Sequence, residues 1–189
     1  MTTREVAVFG GSFNPPHVAH VLAVSWVLSA TDVDEVVIVP TFRHPFGKDL
    51  LPYEHRVAMA NLAFEPLRRV RVSRVEEELG GDSYTVRTLE ALSAQMPGKQ
   101  LRLVVGEDVL PESHRWREFD RVVALAPLLV LGRAGYDAAS ARPVTLPEVS
   151  STDIRARLSA GNSVAGVVPA NVINYIRANH LYATDGAVA

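Results

Sequence analysis

A chain of 189 residues, 48% hydrophobic and 21% charged, has the composition of a globular protein able to bury most of its apolar surface. Its formal net charge of −2 supplies no global field for nucleic acid, so any anion site must be local. The lack of cysteine excludes disulfides, thiolate metal sites and cysteine nucleophiles.

The first apolar run, Glu5–Phe9, carries β-forming residues without polar interruption, as in a strand buried on both faces. It meets Gly10-Gly11 too soon for a secretory leader, and every later apolar stretch falls short of a membrane span. A cytoplasmic protein without membrane or nucleic-acid partners is the expectation. Gly10 and Gly11 are expected to turn the chain and bring its amides near a ligand. Pro15 and Pro16 fix the backbone where a first-turn proline costs little, and a helix follows over Val18–Ala30. His17 and His20, three apart, project from one side of its first turn. The free N–H groups and partial positive charge of such a turn suit phosphate. Either histidine alone also reads as a cap or a packing group. Strand, paired glycines, paired prolines and paired histidines together favour phosphate binding.

Further strands are expected at Glu35–Val39, Val70–Ser73, Leu101–Val105 and Leu128–Leu131, and further helices at Tyr53–Phe64, Thr85–Met96 and Glu118–Ala124. Glu76-Glu77-Glu78 reads as a solvated turn. Alternation of strand and helix predicts a doubly wound, Rossmann-like α/β sheet of about five parallel strands. The last part differs: Thr152–Leu158 and Pro169–Asn179 read as two short helices joined by Ser159–Val168, with no strand between. The pattern is one domain over 1–189, with a core of about 4–148 and a short helical C-terminal cap of about 149–183. Met1–Thr3 and Asp185–Ala189 are expected to fray. His114 and His180 lack partners at metal-ligand spacing.

Ligands of such sheets lie beyond the carboxyl ends of the strands, where strand order reverses. If the first and fourth strands are neighbours, Gly10-Gly11-Ser12 and Gly106-Glu107-Asp108 face one crevice. Gly106 would let a flat base approach the backbone, and Asp108 could accept from ribose hydroxyls or serve as a turn or cap residue. The fifth strand runs into Gly132-Arg133. Ser150 and Ser151 before a helical pattern read as an N-cap. Arg155, near that helix start, opposes the dipole unless something negative lies nearby. It either reaches solvent or joins Ser151 and Thr152 on one end of a triphosphate whose other end lies at the first helix.

Gly10 to His20, G-G-S-F-N-P-P-H-V-A-H, resembles the G-G-T/S-F-D-P-x-H-x-G-H signature of the nucleotidyltransferase superfamily that shares its histidine motif with class I aminoacyl-tRNA synthetases. Ser150 to Arg155 resembles its S-S-T-x-I-R phosphate motif. Within that superfamily the chain is similar to the bacterial nicotinate-nucleotide adenylyltransferases. Supporting segments are Val39-Pro40, Lys48, His55-Arg56, Ser83-Tyr84-Thr85 with Thr88-Leu89, Gly106-Glu107-Asp108, Trp116 and Val168 through Tyr182, nearly the whole chain in the family's order.

The resemblance implies a reaction in which a mononucleotide phosphate attacks the α-phosphorus of ATP, making a dinucleotide and expelling pyrophosphate. It places His17 and His20 on the ATP phosphates, His20 nearest the α-phosphorus, with amides from Gly10, Gly11, Ser12 and Phe13 beside them. Ser151, Thr152 and Arg155 would hold the β and γ groups, with Mg²⁺ carried by the phosphates. Gly106 and Asp108 would seat the adenosine, and Lys48 and Arg133 would add phosphate contacts. The pyridine ring of nicotinate mononucleotide would lie on Trp116, with Tyr84 and Thr85 lining the pocket; Trp116 reads equally well as cover for the core edge. Departures from the family pattern are Ala19 for glycine, Asn14 for aspartate and Arg43-His44-Pro45-Phe46 for a Pro-Pro-His-Lys run. They leave open a nicotinamide mononucleotide or phosphopantetheine acceptor and a nucleotide-binding regulator without turnover. A synthetase fragment fails for want of a K-M-S-K-S loop.

Overall fold

The computed structural model describes residues 4–133 and 144–182. In chain order the elements are β1 (Glu5–Gly11), α1 (Val18–Ala30), β2 (Val33–Pro40), α2 (Tyr53–Phe64), β3 (Val70–Val72), α3 (Val75–Leu79), α4 (Thr85–Gln95), β4 (Gln100–Gly106), a 3₁₀ helix (Glu107–Arg115), α5 (Phe119–Leu125), β5 (Leu128–Arg133), β6 (Thr145–Leu146), α6 (Ser151–Ser159) and α7 (Ala170–Ala178). All strand pairs are parallel, in the order β3-β2-β1-β4-β5-β6. Successive strand residues serve opposite faces. Ala7, Val36 and Ile38 join one apolar cluster with α1, α2, α6 and α7, whereas Val6, Val8 and Val37 join another with α3, α4 and α5. That is the doubly wound arrangement, and it puts the reversal of strand order between β1 and β4. Among the described residues no helix is long and apolar enough to cross a membrane.

The sheet has six strands rather than about five; β6 is two residues long, too short to show a period of two. Helices Val18–Ala30 and Tyr53–Phe64 begin and end where the spacing puts them. Glu76-Glu77-Glu78 is not a solvated turn but part of α3, and Glu76 is buried. Its two carboxylate oxygens accept from the Phe42 amide (2.9 Å) and the Thr88 hydroxyl (2.9 Å), partners no local pattern reveals. Gly10 and Gly11 do not make the turn either. Both belong to β1, paired with Val39 and Pro40, and the left-handed residue that bends the chain is Phe13, at φ 46°. Pro15 and Pro16 lie before the N-cap, His17, and not in the helix.

Candidate active site

A cleft of about 240 Å³ opens at the carboxyl ends of β1, β4 and β5, between the N-termini of α1 and α6. His17, Ala19, His20, Gly106, Asp108 and Ser151 line it. The two histidine rings stack, centroids 3.7 Å apart and planes 25° from parallel. The His17 amide donates to Nδ1 of His20 (3.1 Å), which puts the proton of a neutral His20 ring on Nε2 and makes that nitrogen a donor.

Packing holds His20 from below. The Phe13 ring, fully buried, meets His20 edge-on at 5.1 Å and touches Phe9 and Phe64 as well. A methyl group on Gly11 would stand 3.2 Å from the Phe13 ring, tighter than ordinary contact, so that glycine makes room for the aromatic bed. A methyl group on Gly10 would meet nothing within 4 Å, leaving open space beside the strand end. Among the described residues, neither the Ser12 nor the Phe13 amide donates to a protein acceptor.

The second motif is stitched to the first. Ser150 caps α6, its hydroxyl accepting from the Asp153 amide (3.1 Å). Ser151 Oγ donates to the Pro15 carbonyl (2.9 Å), and Arg155 Nη1 donates to the Asn14 carbonyl (2.9 Å). Arg155 therefore does not simply reach solvent. Its other terminal nitrogen donates to Thr152 Oγ1 (3.3 Å). The Tyr182 hydroxyl donates to Oδ1 of buried Asn14 (2.7 Å), and burial holds that phenol above its ordinary range.

A side chain at Gly106 would collide with Oδ1 of Asp108. Lys48 stands exposed in the segment before α2 and does not line the cleft. The side chain of Arg133 lies outside the described residues. Tyr84 is the N-cap of α4 and Thr85 its first residue. Their neighbour Ser83 accepts through Oγ from the amides of Phe42 and Arg43 (3.1 Å each), just beyond β2. Tyr84 and Trp116 rest partly exposed on the α4–α5 core, with Arg117 over the Tyr84 ring and Phe119 edge-on to Trp116. Tyr84, Thr85 and Trp116 do not line the histidine cleft, and neither do Thr152 and Arg155. Among the described residues no three His, Asp or Glu side chains converge as metal ligands.

Arg56, which no local motif marks as a site residue, lies beside the phosphate loop. Its guanidinium, 1% exposed, donates to the carbonyls of Ser12, Thr41, Phe42 and Leu51. The available signal was an arginine at helical spacing with Ala60 and Ala63, on an otherwise apolar face.

Residues 8–157 match the cytidylyltransferase-like family model. A probable nicotinate-nucleotide adenylyltransferase of Anaeromyxobacter dehalogenans (strain 2CP-1) is 50% identical over 182 residues, which cover 95% of this chain and 97% of the relative. A protein of the same description from Myxococcus xanthus is 44% identical over 179 residues, 94% of each chain. The structure of Plasmodium falciparum nicotinic acid mononucleotide adenylyltransferase complexed with NaAD superposes with a TM-score of 0.82 over 95% of this chain and 97% of that one. At 17% identity that likeness is one of fold. Sequence matches of this extent, on a sheet whose switch point joins both motifs, place the chain in the cytidylyltransferase-like family, among the nicotinate-nucleotide adenylyltransferases.

Proposed function

We propose that the protein transfers an adenylyl group from ATP to nicotinate mononucleotide, giving nicotinate adenine dinucleotide and pyrophosphate in NAD biosynthesis. The observation that carries this reading is the stitching of two helix N-termini, 136 residues apart at the Ser151–Pro15 bond, around one histidine-lined cleft. A phosphate oxygen of the mononucleotide attacks the α-phosphorus, and the bond from that phosphorus to its bridging oxygen breaks, the electron pair leaving with pyrophosphate. The nucleophile is already anionic at neutral pH, so no general base is needed; positioning and charge stabilisation do the chemistry.

His20 Nε2 donates to the transferring phosphate, beside the amides of Ser12 and Phe13 and under His17. Thr152 and the outer face of Arg155 hold the β and γ groups, while Ser151 fixes the geometry through Pro15. Asp108 accepts from the ribose. Mg²⁺ fits as a companion of the triphosphate, because one carboxylate lines the described cleft, too few hard donors for a protein-built octahedral cage. Bound there, it neutralises charge on the β and γ groups.

The acceptor lies against Tyr84, Thr85 and Trp116, its ring on Trp116 and its carboxylate at the first amides of α4, around Thr85. An eleven-residue helix whose described first turn carries no acidic residue favours an anion at that end, hence nicotinate over the neutral nicotinamide. The reading carries a cytoplasmic setting and small-molecule partners. Pyrophosphate release from ATP is the test, with nicotinate mononucleotide, nicotinamide mononucleotide and phosphopantetheine as alternative acceptors. Turnover should be fastest with nicotinate mononucleotide. Preference for either rival overturns the acceptor, and ATP binding without release from any of them overturns catalysis.

A further inference from the structure

Arg56 is a buried cation for which the phosphate contacts above give no reason. Among the described residues no carboxylate lies within ion-pair distance of it, and burial lowers its pKa without discharging a guanidinium. All its described hydrogen-bond acceptors are carbonyls, in three separate segments, and the Tyr53 ring lies 5.4 Å from the guanidinium. Nη1 alone bridges two of them, donating to Ser12 (3.0 Å) after β1 and to Thr41 (2.6 Å) after β2. Nη2 takes Phe42 (3.3 Å) and Nε takes Leu51 (2.9 Å), just before α2. The last backbone bond between the two strand exits is Thr41 N–H to the Gly11 carbonyl (2.9 Å). Arg56 takes over the pairing where the backbones diverge.

The Thr41–Phe42 segment is also held from the other face of the sheet. The Phe42 amide donates to Glu76 (2.9 Å) and to Ser83 Oγ (3.1 Å), and Ser83 ties Arg43 to the start of α4. Phosphate loop and acceptor group are thus connected through one guanidinium and one peptide segment. An apolar side chain would fill such a position at lower desolvation cost, so the cation calls for another account.

We propose that Arg56 is a positioning residue that sets the separation between the ATP half-site and the acceptor half-site. The inference rests on the adenylyl-transfer reading. Lysine keeps the charge, but its ammonium ends one bond short of Nη1 and has its donors at one point, so it cannot hold the Ser12 and Thr41 carbonyls while keeping the bonds to Phe42 and Leu51. A ligand that occupies one half tolerates a changed separation; a ligand that spans both does not.

The test compares wild type with Arg56→Lys by calorimetric binding of ATP, nicotinate mononucleotide and nicotinate adenine dinucleotide, and by kcat for pyrophosphate release. Arg56→Lys should bind each single nucleotide within about threefold of wild type yet bind the dinucleotide more than about tenfold weaker, with kcat down about 10²-fold, as for an ångström-scale misplacement. Equal loss for all three ligands, or an unchanged kcat, overturns the inference and leaves Arg56 a merely structural residue. Should Arg56→Lys not fold, Ser83→Ala loosens the same segment from the other face. Its dinucleotide affinity should fall with ATP affinity unchanged; parallel loss of both overturns the inference. A wild type that binds no dinucleotide and turns over no acceptor overturns the functional reading instead.

Discussion

Replacing Gly106 by alanine should damage nucleotide binding while leaving the fold intact, and the damage should depend on Asp108. Gly106 has φ −73° and ψ 148°, an extended conformation that alanine adopts freely, so no backbone strain is introduced. Freezing the unfolded chain slightly would even favour the variant by about 0.4–1 kcal/mol. The added methyl group collides with Oδ1 of Asp108, the far end of a half-buried side chain, which has to shift. The protein stays folded, but the carboxylate leaves the cleft wall by roughly an ångström. Misplacement on that scale costs about 10²-fold in a positioned contact, near 2.7 kcal/mol. A double-mutant cycle reads it out. Gly106→Ala and Asp108→Ala should each raise the apparent KM for ATP, and the double variant should match Asp108→Ala alone, a coupling of about 1.5–3 kcal/mol. Melting temperatures should stay close to wild type in all three. If the Gly106→Ala loss persists undiminished in the Asp108→Ala background, the glycine serves the base directly and the steric account fails.

His20→Ala should lower kcat by about 10²–10³, the typical cost of removing one preorganised donor, with the fold intact by circular dichroism. Near-normal pyrophosphate release would remove its role. Glu76→Ala should cost about 2 kcal/mol in denaturant unfolding, because it strips the carboxylate acceptor from the buried Thr88 hydroxyl and one of two acceptors from the half-buried Phe42 amide. Glu78→Ala, two residues on and solvent-exposed, should stay within about 0.5 kcal/mol. Burial first, then the Glu77 charge, pushes the Tyr53 phenol up to about 12 from 10.0, and its hydroxyl has no hydrogen-bond partner among the described residues. A raised pKa favours the neutral form in the native state, so that contribution is complete below pH 10 and lost as pH rises towards 12. Tyr53→Phe should flatten the fall of unfolding free energy across that window, and an unchanged slope would remove Tyr53 from the alkaline transition.

The motif ends of the strands were legible because local chemistry and global topology coincide there. A valine-rich strand, a histidine pair and a capped helix carry their own signals, and parallel pairing with β4 then forces the two glycine ends into one crevice. What escaped was set by distant partners. Glu76 looked like its solvated neighbours because the atoms that bury it, at Phe42 and Thr88, are far away in sequence. The coupling of Gly106 to Asp108 comes from a side chain two residues on, whereas the sequence renders the two as independent ligands. Gly10-Gly11 resembled a turn, yet the strain fell on Phe13, where aromatic packing over-determines the backbone.

Asn14 too is held by a partner far away in sequence. With an asparagine in place of the family's aspartate, the loop loses a charge, and that loss was one ground for imagining a pocket without turnover. Yet the Asn14 side chain is buried and its Oδ1 is taken by the Tyr182 hydroxyl, while its carbonyl receives Arg155. Its job is to latch the C-terminal segment and α6 onto the histidine loop. An amide oxygen accepts that bond as a carboxylate oxygen does, so the lost charge is taken from the latch and not from the phosphate side. Ala19 is the departure that faces the cleft. If turnover is impaired, the cause should therefore lie with that methyl group, and Ala19→Gly should restore it where Asn14→Asp does not.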